Sequence, residues 1–345
     1  MKHVKLRVEG RPFDRLGEPE LAAWRALHAA QGPQQWAFQS VGFAAAVHET
    51  VAPVRTALLW QADELVGVLP MQRKPGRWGR LGMYEPVGGL MADYAGLLAG
   101  ESLRTQWSAL LAGAGVPCLY FTHLDEQQLN LGLTGAQPRI GLRTRIHSEG
   151  GAAHWAWLRT QDKKLVDDTE RRERKLQRDH GEVSFAMDSP HAAQDLQTLI
   201  AAKNDQYRRT GANGGPLLQL RNQRLLAHLL AHPSEGCRVR LSMLKAGDQW
   251  VSGHFGLQSG TTLHYWFPVY SERFSSYSPG FILFKHLVLQ AGAAGIALID
   301  HGEGDTPAKR DFATESHQFF RGLETRGLRG QLLAGAQRLA WRLAG

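Results

Sequence analysis

The chain has 345 residues, of which 43% are hydrophobic and 21% are charged, a mixture typical of a globular protein with a substantial core. Its formal net charge of +8 favours phosphate-bearing partners such as nucleotides, coenzyme A, nucleic acid or an anionic membrane, but it also fits ordinary surface charge. Two cysteines are too few for a disulfide scaffold, and the sequence shows neither a signal-peptide pattern nor a long apolar run, so we predict a soluble cytoplasmic protein.

In the first half of the chain, apolar spacing and turn residues predict a mixture of helices and strands. Two of the strands flank a polar turn at 62–64 and are predicted to form a β-hairpin. A stretch from 132 to 151 has several glycines and little periodicity, which predicts a domain boundary there. The predicted elements are helices at 20–30 and 102–112 and strands at 54–60, 65–71 and 118–122.

The second half repeats this layout. A second predicted hairpin, around the turn 246–248, resembles the first in having an apolar strand, an Asp-containing turn and an apolar strand with an internal glycine. This favours two similar halves, although hairpins also recur by chance in α+β proteins. The predicted elements are helices at 162–180, 192–207 and 217–231 and strands at 238–244, 250–257 and 261–269.

A Ser-Pro-Gly sequence then precedes a long apolar helix. Ser278 is a favourable N-cap residue, Pro279 suits the first helical turn, and Gly280 leaves room for a ligand. Because a helix start presents unpaired N–H groups and a partial positive charge, the segment predicts an anion site suited to a pyrophosphate. The alternative is that Ser-Pro-Gly only caps a buried helix.

The order of three strands, Ser-Pro-Gly, helix, strand and charged loop resembles the core of the acyl-CoA N-acyltransferases of the GNAT superfamily. More specifically, Ser278-Pro279-Gly280 and the loop from Asp300 to Lys309 are similar to the "SPG" and "D-x-G-x-G-D-x-x-Y-K" motifs of the CelD/BcsL-like (BioF2-like) group of polysaccharide-associated acetyltransferases. The resemblance covers roughly residues 38–312. Glu303 replaces a usual Arg and Ala308 a usual Tyr. Fem-type ligases, which use aminoacyl-tRNA, are more distantly similar.

The resemblance implies an α/β (α+β mixed sheet) fold with two GNAT-like units in tandem, 1–145 and 146–325, followed by an amphipathic C-terminal helix at 326–345. The second unit would carry the donor site. The implied activity is transfer of an acyl group, expected to be acetyl, from acyl-CoA to an amine on a sugar-derived or cell-surface polysaccharide precursor. Two alternatives remain open: a Fem-like transferase using aminoacyl-tRNA, and a non-catalytic scaffold or regulator of polysaccharide synthesis. We expect no DNA partner.

These expectations assign roles to individual residues. A donor site for the acyl-CoA co-substrate is predicted from Tyr277, Ser278, Pro279, Gly280, Phe281 and Ile282. The predicted catalytic groups are Asp305, Glu303, Lys309 and His264, and the predicted substrate-binding groups are Asp300, Gly302, Gly304 and Tyr265. The alternative is that Asp305 and Lys309 form a structural ion pair that fixes the loop.

Three other features are weaker candidates. His228 and His232 lie one helical turn apart but have no third ligand in view, so we predict no metal site. Arginines at 171–178 alternate with acidic residues, which favours a solvated helix. The tail places leucines near one helical face with arginines beside them, which predicts either docking onto the protein or peripheral contact with the inner membrane. These residues are Leu328, Leu332, Leu339, Leu343, Arg329, Arg338 and Arg342.

Overall fold

The chain divides into two units in the structure, a computed structural model that describes residues 6–100, 103, 105–126, 128, 137–211 and 215–344. The first unit is Met1–Ile140 together with His317–Gly345, and the second is Gly141–Ser316. The first boundary lies close to the predicted 145/146 division. The second lies before the predicted 325/326 division, because residues 317–325 form a strand that pairs within the first unit.

The strands alternate with helices along the chain. The strands are β1 (Leu6–Pro12), β2 (Val54–Gln61), β3 (Glu64–Arg73), β4 (Met83–Pro86), β5 (Leu98–Ala99), β6 (Cys118–Asp125), β7 (Gln137–Arg145), β8 (Val183–Ala186), β9 (Arg238–Ala246), β10 (Gln249–Ser259), β11 (Thr262–Tyr270), β12 (Leu298–Glu303) and β13 (Glu315–Thr325). The helices are α1 (Glu18–Ala29), α2 (Val41–Thr50), α3 (Arg77–Arg80), α4 (Trp107–Ala114), α5 (Gly151–Gln161), α6 (Lys163–His180), α7 (Ala192–Arg209), α8 (Leu220–Ala231), α9 (Pro279–Gln290), α10 (Pro307–Arg310) and α11 (Gly327–Ala344).

The sheet of the first unit runs in the order β1-β2-β3-β4-β6-β13, and β5 pairs with β3. Its pairs are antiparallel except for β4 and β6. The predicted first hairpin is confirmed as β2 and β3, joined at Ala62-Asp63. Leu59, Met71, Leu110 and Phe121 are buried in one cluster, so α4 covers this sheet through its apolar face.

The sheet of the second unit runs in the order β7-β12-β11-β10-β9-β8. The predicted second hairpin is confirmed as β9 and β10, and β11 extends it. Only β11 and β12 are parallel among these pairs. Parallel neighbours need a crossover, and the apolar helix α9 supplies it.

Helices pack on the second sheet in two groups. α7 and α8 contact each other and β9, whereas α5 and α6 contact α9. The central strand β10 is buried along most of its length, as expected where helices cover both faces of a sheet. Ile282, Leu283 and Leu287 of α9 have no exposed surface and join the core clusters of this unit. The position of α9 is therefore fixed by packing along its length, while Gly280 in its first turn stays exposed.

The tail helix α11 packs on the first unit. Leu333 and Ala334 are buried beside Met83 and Cys118. The predicted apolar face lies on the other side, where Leu328, Leu332 and Leu339 are 80%, 75% and 57% exposed. The side chains of Leu343 and Arg342 are outside the described residues. No helix in the described part of the chain is long and apolar enough to cross a membrane.

Candidate active site

A cavity of about 540 Å³ lies in the second unit, at the start of α9. Its walls come from α7, β11, the first turn of α9, β12 and α10. The lining residues are Lys203, Gln206, Tyr265, Trp266, Pro268, Val269, Tyr270, Ser275, Ser278, Pro279, Gly280, Phe281, Leu283, Phe284, His301, Ala308, Lys309 and Phe312. The two charged side chains in this lining, Lys203 and Lys309, are both cationic.

The cavity exists because β11 and β12 pair over a short distance only. Thr262, Leu263 and His264 of β11 face residues 298–300 of β12. After this point β12 has an irregularity between Asp300 and Glu303, while β11 continues to Tyr270 alongside β10. The part of β11 after His264 therefore faces the cavity instead of β12.

The first turn of α9 forms one end of the cavity. Ser278 is the residue before the helix, as predicted, but its φ of 52° is left-handed and its side chain does not cap the helix. Its hydroxyl accepts a hydrogen bond from Arg172 of α6 instead. The predicted capping by the Ser278 hydroxyl is thus wrong, and an arginine from the helix predicted to be solvated reaches the start of α9.

The other predicted donor-site residues fall into two groups. Pro279, Gly280 and Phe281 line the cavity, and a Cβ added at Gly280 would meet no protein atom within 4 Å. Tyr277 and Ile282 are buried and lie outside the lining. The Tyr277 hydroxyl donates to Asp179 of α6 at 3.0 Å, so its side chain holds α6 to the start of α9.

The predicted catalytic loop presents one cation to the cavity. Lys309 lines the cavity, and its Nζ donates to the backbone carbonyl of Glu303 at 2.6 Å. Asp305 lies outside the lining; its carboxylate accepts from Arg310 at 3.0 Å, and its side chain is 43% exposed. Gly302 and Gly304 have left-handed φ values of 67° and 110°, which explains why the loop needs glycine there.

A buried polar pair lies under the loop. His264 Nδ1 and Asp300 Oδ2 are 2.5 Å apart, and Arg143 Nε is 3.6 Å from Asp300 Oδ1. Asp300 has no exposed surface and His264 has 3%. Both are buried at the last paired position of β11 and β12, just before the strands part. The predicted substrate contact of Asp300 does not fit this burial.

His301 lies in the cavity wall with a defined tautomer. Its Nε2 is 2.8 Å from the Thr144 hydroxyl, which donates its single proton to the Phe312 carbonyl. Nε2 must therefore carry the hydrogen, which leaves Nδ1 unprotonated, with a lone pair that can accept a hydrogen bond. Burial lowers the pKa of His301 to about 4, so the ring is neutral at pH 7.

Two further lining residues have shifted pKa values. Burial raises the pKa of the Tyr265 hydroxyl, which keeps it protonated at neutral pH. Burial and the nearby Lys309 lower the pKa of Lys203 to about 8. Lys203 and His301 were not predicted as site residues, because a lysine in a periodic helix and a histidine in a predicted loop have no sequence signal for burial; His301 in fact lies in β12.

Comparison with known proteins identifies this part of the chain. Residues 163–310 match the family model described as "Acetyltransferase (GNAT) domain". The chain carries a GNAT-type acetyltransferase domain. This domain contains Lys203, α9 and the loop from Asp300 to Lys309. The prediction of an acyltransferase is confirmed. No curated protein shows a significant sequence match to the chain.

Solved structures extend the likeness over most of the chain. The crystal structure of FemX is 10% identical at a TM-score of 0.59, covering 88% of this chain and 94% of FemX. A conserved protein of unknown function from Bacteroides thetaiotaomicron is 8% identical at a TM-score of 0.53, covering 87% of this chain and 97% of its own. A tandem GNAT protein from the clavulanic acid biosynthesis pathway is 10% identical at a TM-score of 0.49, covering 93% and 98%. The strand pairing and the family model together confirm the predicted mixed α/β fold with a GNAT-type domain.

Proposed function

We propose that the chain transfers an acyl group, in the first instance acetyl, from acyl-CoA bound in this cavity to an amine. The observation that carries the proposal is the meeting of a helix start with the gap between β11 and β12 in a GNAT-type domain. We further propose that the acceptor is a sugar-derived or cell-surface polysaccharide precursor. The motif resemblance of residues 278–280 and 300–309 to the CelD/BcsL-like group supports this acceptor.

The donor would bind along β11. The positive end of the α9 dipole, near Gly280, suits the pyrophosphate of coenzyme A, and Arg172 adds a positive charge at Ser278. The N–H groups of Phe281 and Ile282 already donate to the Ser278 carbonyl. The pantetheine arm would then follow the part of β11 after His264, which faces the cavity. Phe281 and Phe284 give this wall the apolar surface that such an arm needs.

The reaction needs a tetrahedral intermediate with a negative oxygen to be stabilised. We assign this role to Lys309, the cation that the loop presents to the cavity. The leaving thiolate needs a proton, and Ala308 lacks the hydroxyl that the motif usually has there. We assign this proton to Tyr265, whose hydroxyl is protonated and which lies in the same cavity wall. His264 and Asp300 would position the ends of the strands. Glu303 or Asp305, from the loop, would position or deprotonate the attacking amine.

Calorimetric titration of the protein with acetyl-CoA tests the proposal. The wild type should bind, and Gly280→Val should bind at least about tenfold more weakly, because the added side chain would project into open cavity space. Gly335→Val is the matched control, since Gly335 also lies in a helix with nothing within 4 Å of an added Cβ. Absence of binding by the wild type, or equal affinity of Gly280→Val, would contradict the donor site.

The resemblance to Fem-type ligases gives one alternative donor, aminoacyl-tRNA, and FemX shares the fold of this chain. A Fem-like activity would require saturable binding of aminoacyl-tRNA that acetyl-CoA does not displace. The same titration with charged tRNA therefore separates the two donors. Peripheral membrane contact through the exposed leucines of α11 stays a prediction, and co-sedimentation with anionic liposomes tests it.

A further inference from the structure

Lys203 is a half-buried amine in the cavity wall that the proposed reaction does not use. We propose that Lys203 is itself a site of acylation, its side-chain amine accepting the acyl group of acyl-CoA held in the cavity. This inference rests on the proposed function, because it needs the thioester to bind beside β11.

The geometry fixes the amine in the right part of the cavity. Lys203 lies on α7, and its Nζ donates to the carbonyl of Pro268 at 2.9 Å. Pro268 belongs to the part of β11 that faces the cavity, three residues after Tyr265. Lys309 and the first turn of α9 line the same cavity. An acyl-CoA that binds between α9 and Lys309 would therefore share this cavity with the Lys203 amine.

The charge environment leaves the amine reactive. Among the described residues, no carboxylate lies within ion-pair distance of Lys203, so no counter-ion holds its proton. Burial and Lys309 lower its pKa to about 8, while the ring of Tyr207, 5.5 Å away, favours the charged form. At pH 7 roughly a tenth of the amine is neutral, compared with about one part in several thousand for an ordinary lysine.

The reaction balances without any other reagent. The neutral Nζ attacks the thioester carbonyl, a C–N bond forms and the C–S bond breaks. Nζ loses one proton, and the departing thiolate takes one proton up, which gives an amide and free coenzyme A. The product carries no charge at Lys203, so the cavity wall would then hold Lys309 as its charged group.

The test uses the intact protein and acetyl-CoA, without an acceptor, over pH 7 to 9. Trypsin cleaves after an unmodified Lys203, so acetylation there joins two fragments into one peptide spanning residues 179–208 that mass spectrometry detects. We expect Lys203 to be acetylated at least about tenfold faster than Lys285, an equally internal comparison lysine that is ion-paired with Glu173 at 2.5 Å.

The pH profile adds a second criterion. The rate should rise about tenfold from pH 7 to 9 as the amine loses its proton. His301 and Tyr265 face the same cavity. The pKa of His301 is about 4 and that of Tyr265 is raised, so neither residue changes charge between pH 7 and 9. A flat profile would contradict acylation by the neutral amine of Lys203.

Two arms separate this inference from the proposed function. Gly280→Val should slow acetylation of Lys203 by acetyl-CoA but not by p-nitrophenyl acetate, which needs no coenzyme site. Equal acetylation of Lys203 by acetyl-CoA in the wild type and in Gly280→Val would overturn the inference, since the acyl group would then come from acetyl-CoA that is not bound in the cavity. Calorimetric binding of acetyl-CoA without any acetylation of Lys203 would overturn the inference and leave the proposed function standing. Lack of acetyl-CoA binding would overturn both.

Discussion

Replacement of Asp300 by asparagine tests whether the buried pair under the loop fixes the fold of the second unit. Asn keeps the size of the side chain and removes its charge. The change would leave Arg143, which is 5% exposed, beside a neutral amide, and it would weaken the 2.5 Å contact with His264. Asp305→Asn is the matched control, because it removes an equal charge from the exposed pair with Arg310.

The two substitutions should differ greatly in magnitude. Removing one partner of a buried ion pair costs about 3–5 kcal/mol, because the remaining charge stays buried. Removing one partner of an exposed pair costs about 0–1 kcal/mol. For a unit of this size, 1 kcal/mol corresponds to roughly 2–4 °C in melting temperature, so Asp300→Asn should lower it by about 6–20 °C.

Differential scanning calorimetry of the wild type and both variants measures the difference directly. A double variant that adds Arg143→Met to Asp300→Asn should regain part of the loss, since it also removes the guanidinium that faces residue 300. The reasoning fails if Asp300→Asn and Asp305→Asn melt within about 2 °C of each other, which corresponds to roughly 0.5–1 kcal/mol. In that case the pair would not hold the ends of β11 and β12 together.

Two further predictions concern the helices. Burial raises the pKa of Glu173, but hydrogen bonds from His286 and Lys285 outweigh burial and hold it below its usual value of 4.5. A depressed folded-state pKa stabilises the fold above about pH 4.5, and this contribution disappears as the pH falls. Glu173→Gln should therefore lower the free energy of unfolding at pH 7 and make it fall less between pH 7 and pH 4. Urea titrations at the two pH values measure this difference. In α11, Leu333→Ala should cost about 2–5 kcal/mol, whereas Leu332→Ala, at 75% exposure, should stay within about 0.5 kcal/mol; equal melting temperatures would contradict the docking face.

Elements with local signals were predictable from the sequence. The hairpin of β2 and β3 and that of β9 and β10 alternate apolar residues around short polar turns, and α6 has a charged surface with a sharp glycine stop at Gly181. Neither β7 nor β13 was predicted. β13 finds its partner β6 almost two hundred residues earlier in the chain, and no local pattern encodes so distant a pairing.

For the candidate site, the sequence indicated the chain segments better than it indicated the roles of individual residues. The motif directs attention to the start of α9 and the loop after β12, both of which contribute residues to the cavity wall, because both depend on Pro and Gly at fixed positions. It does not reveal that Asp300 is buried against His264, since this follows from the register between β11 and β12. The depth of Lys203 follows from the packing of α7 on β11, which involves residues far apart in sequence.

The position of β13 has a consequence for synthesis of the protein on the ribosome. All of the second unit has been made once Ser316 is added, whereas the first unit still lacks the strand that pairs with β6. At about 5–20 residues per second, the segment ending at Ile140 waits roughly 10–40 s for its last strand and for α11. The later-made unit can therefore complete its fold first, and a stop codon shortly after residue 316 would leave the acetyltransferase domain whole and the N-terminal unit without its closing strand.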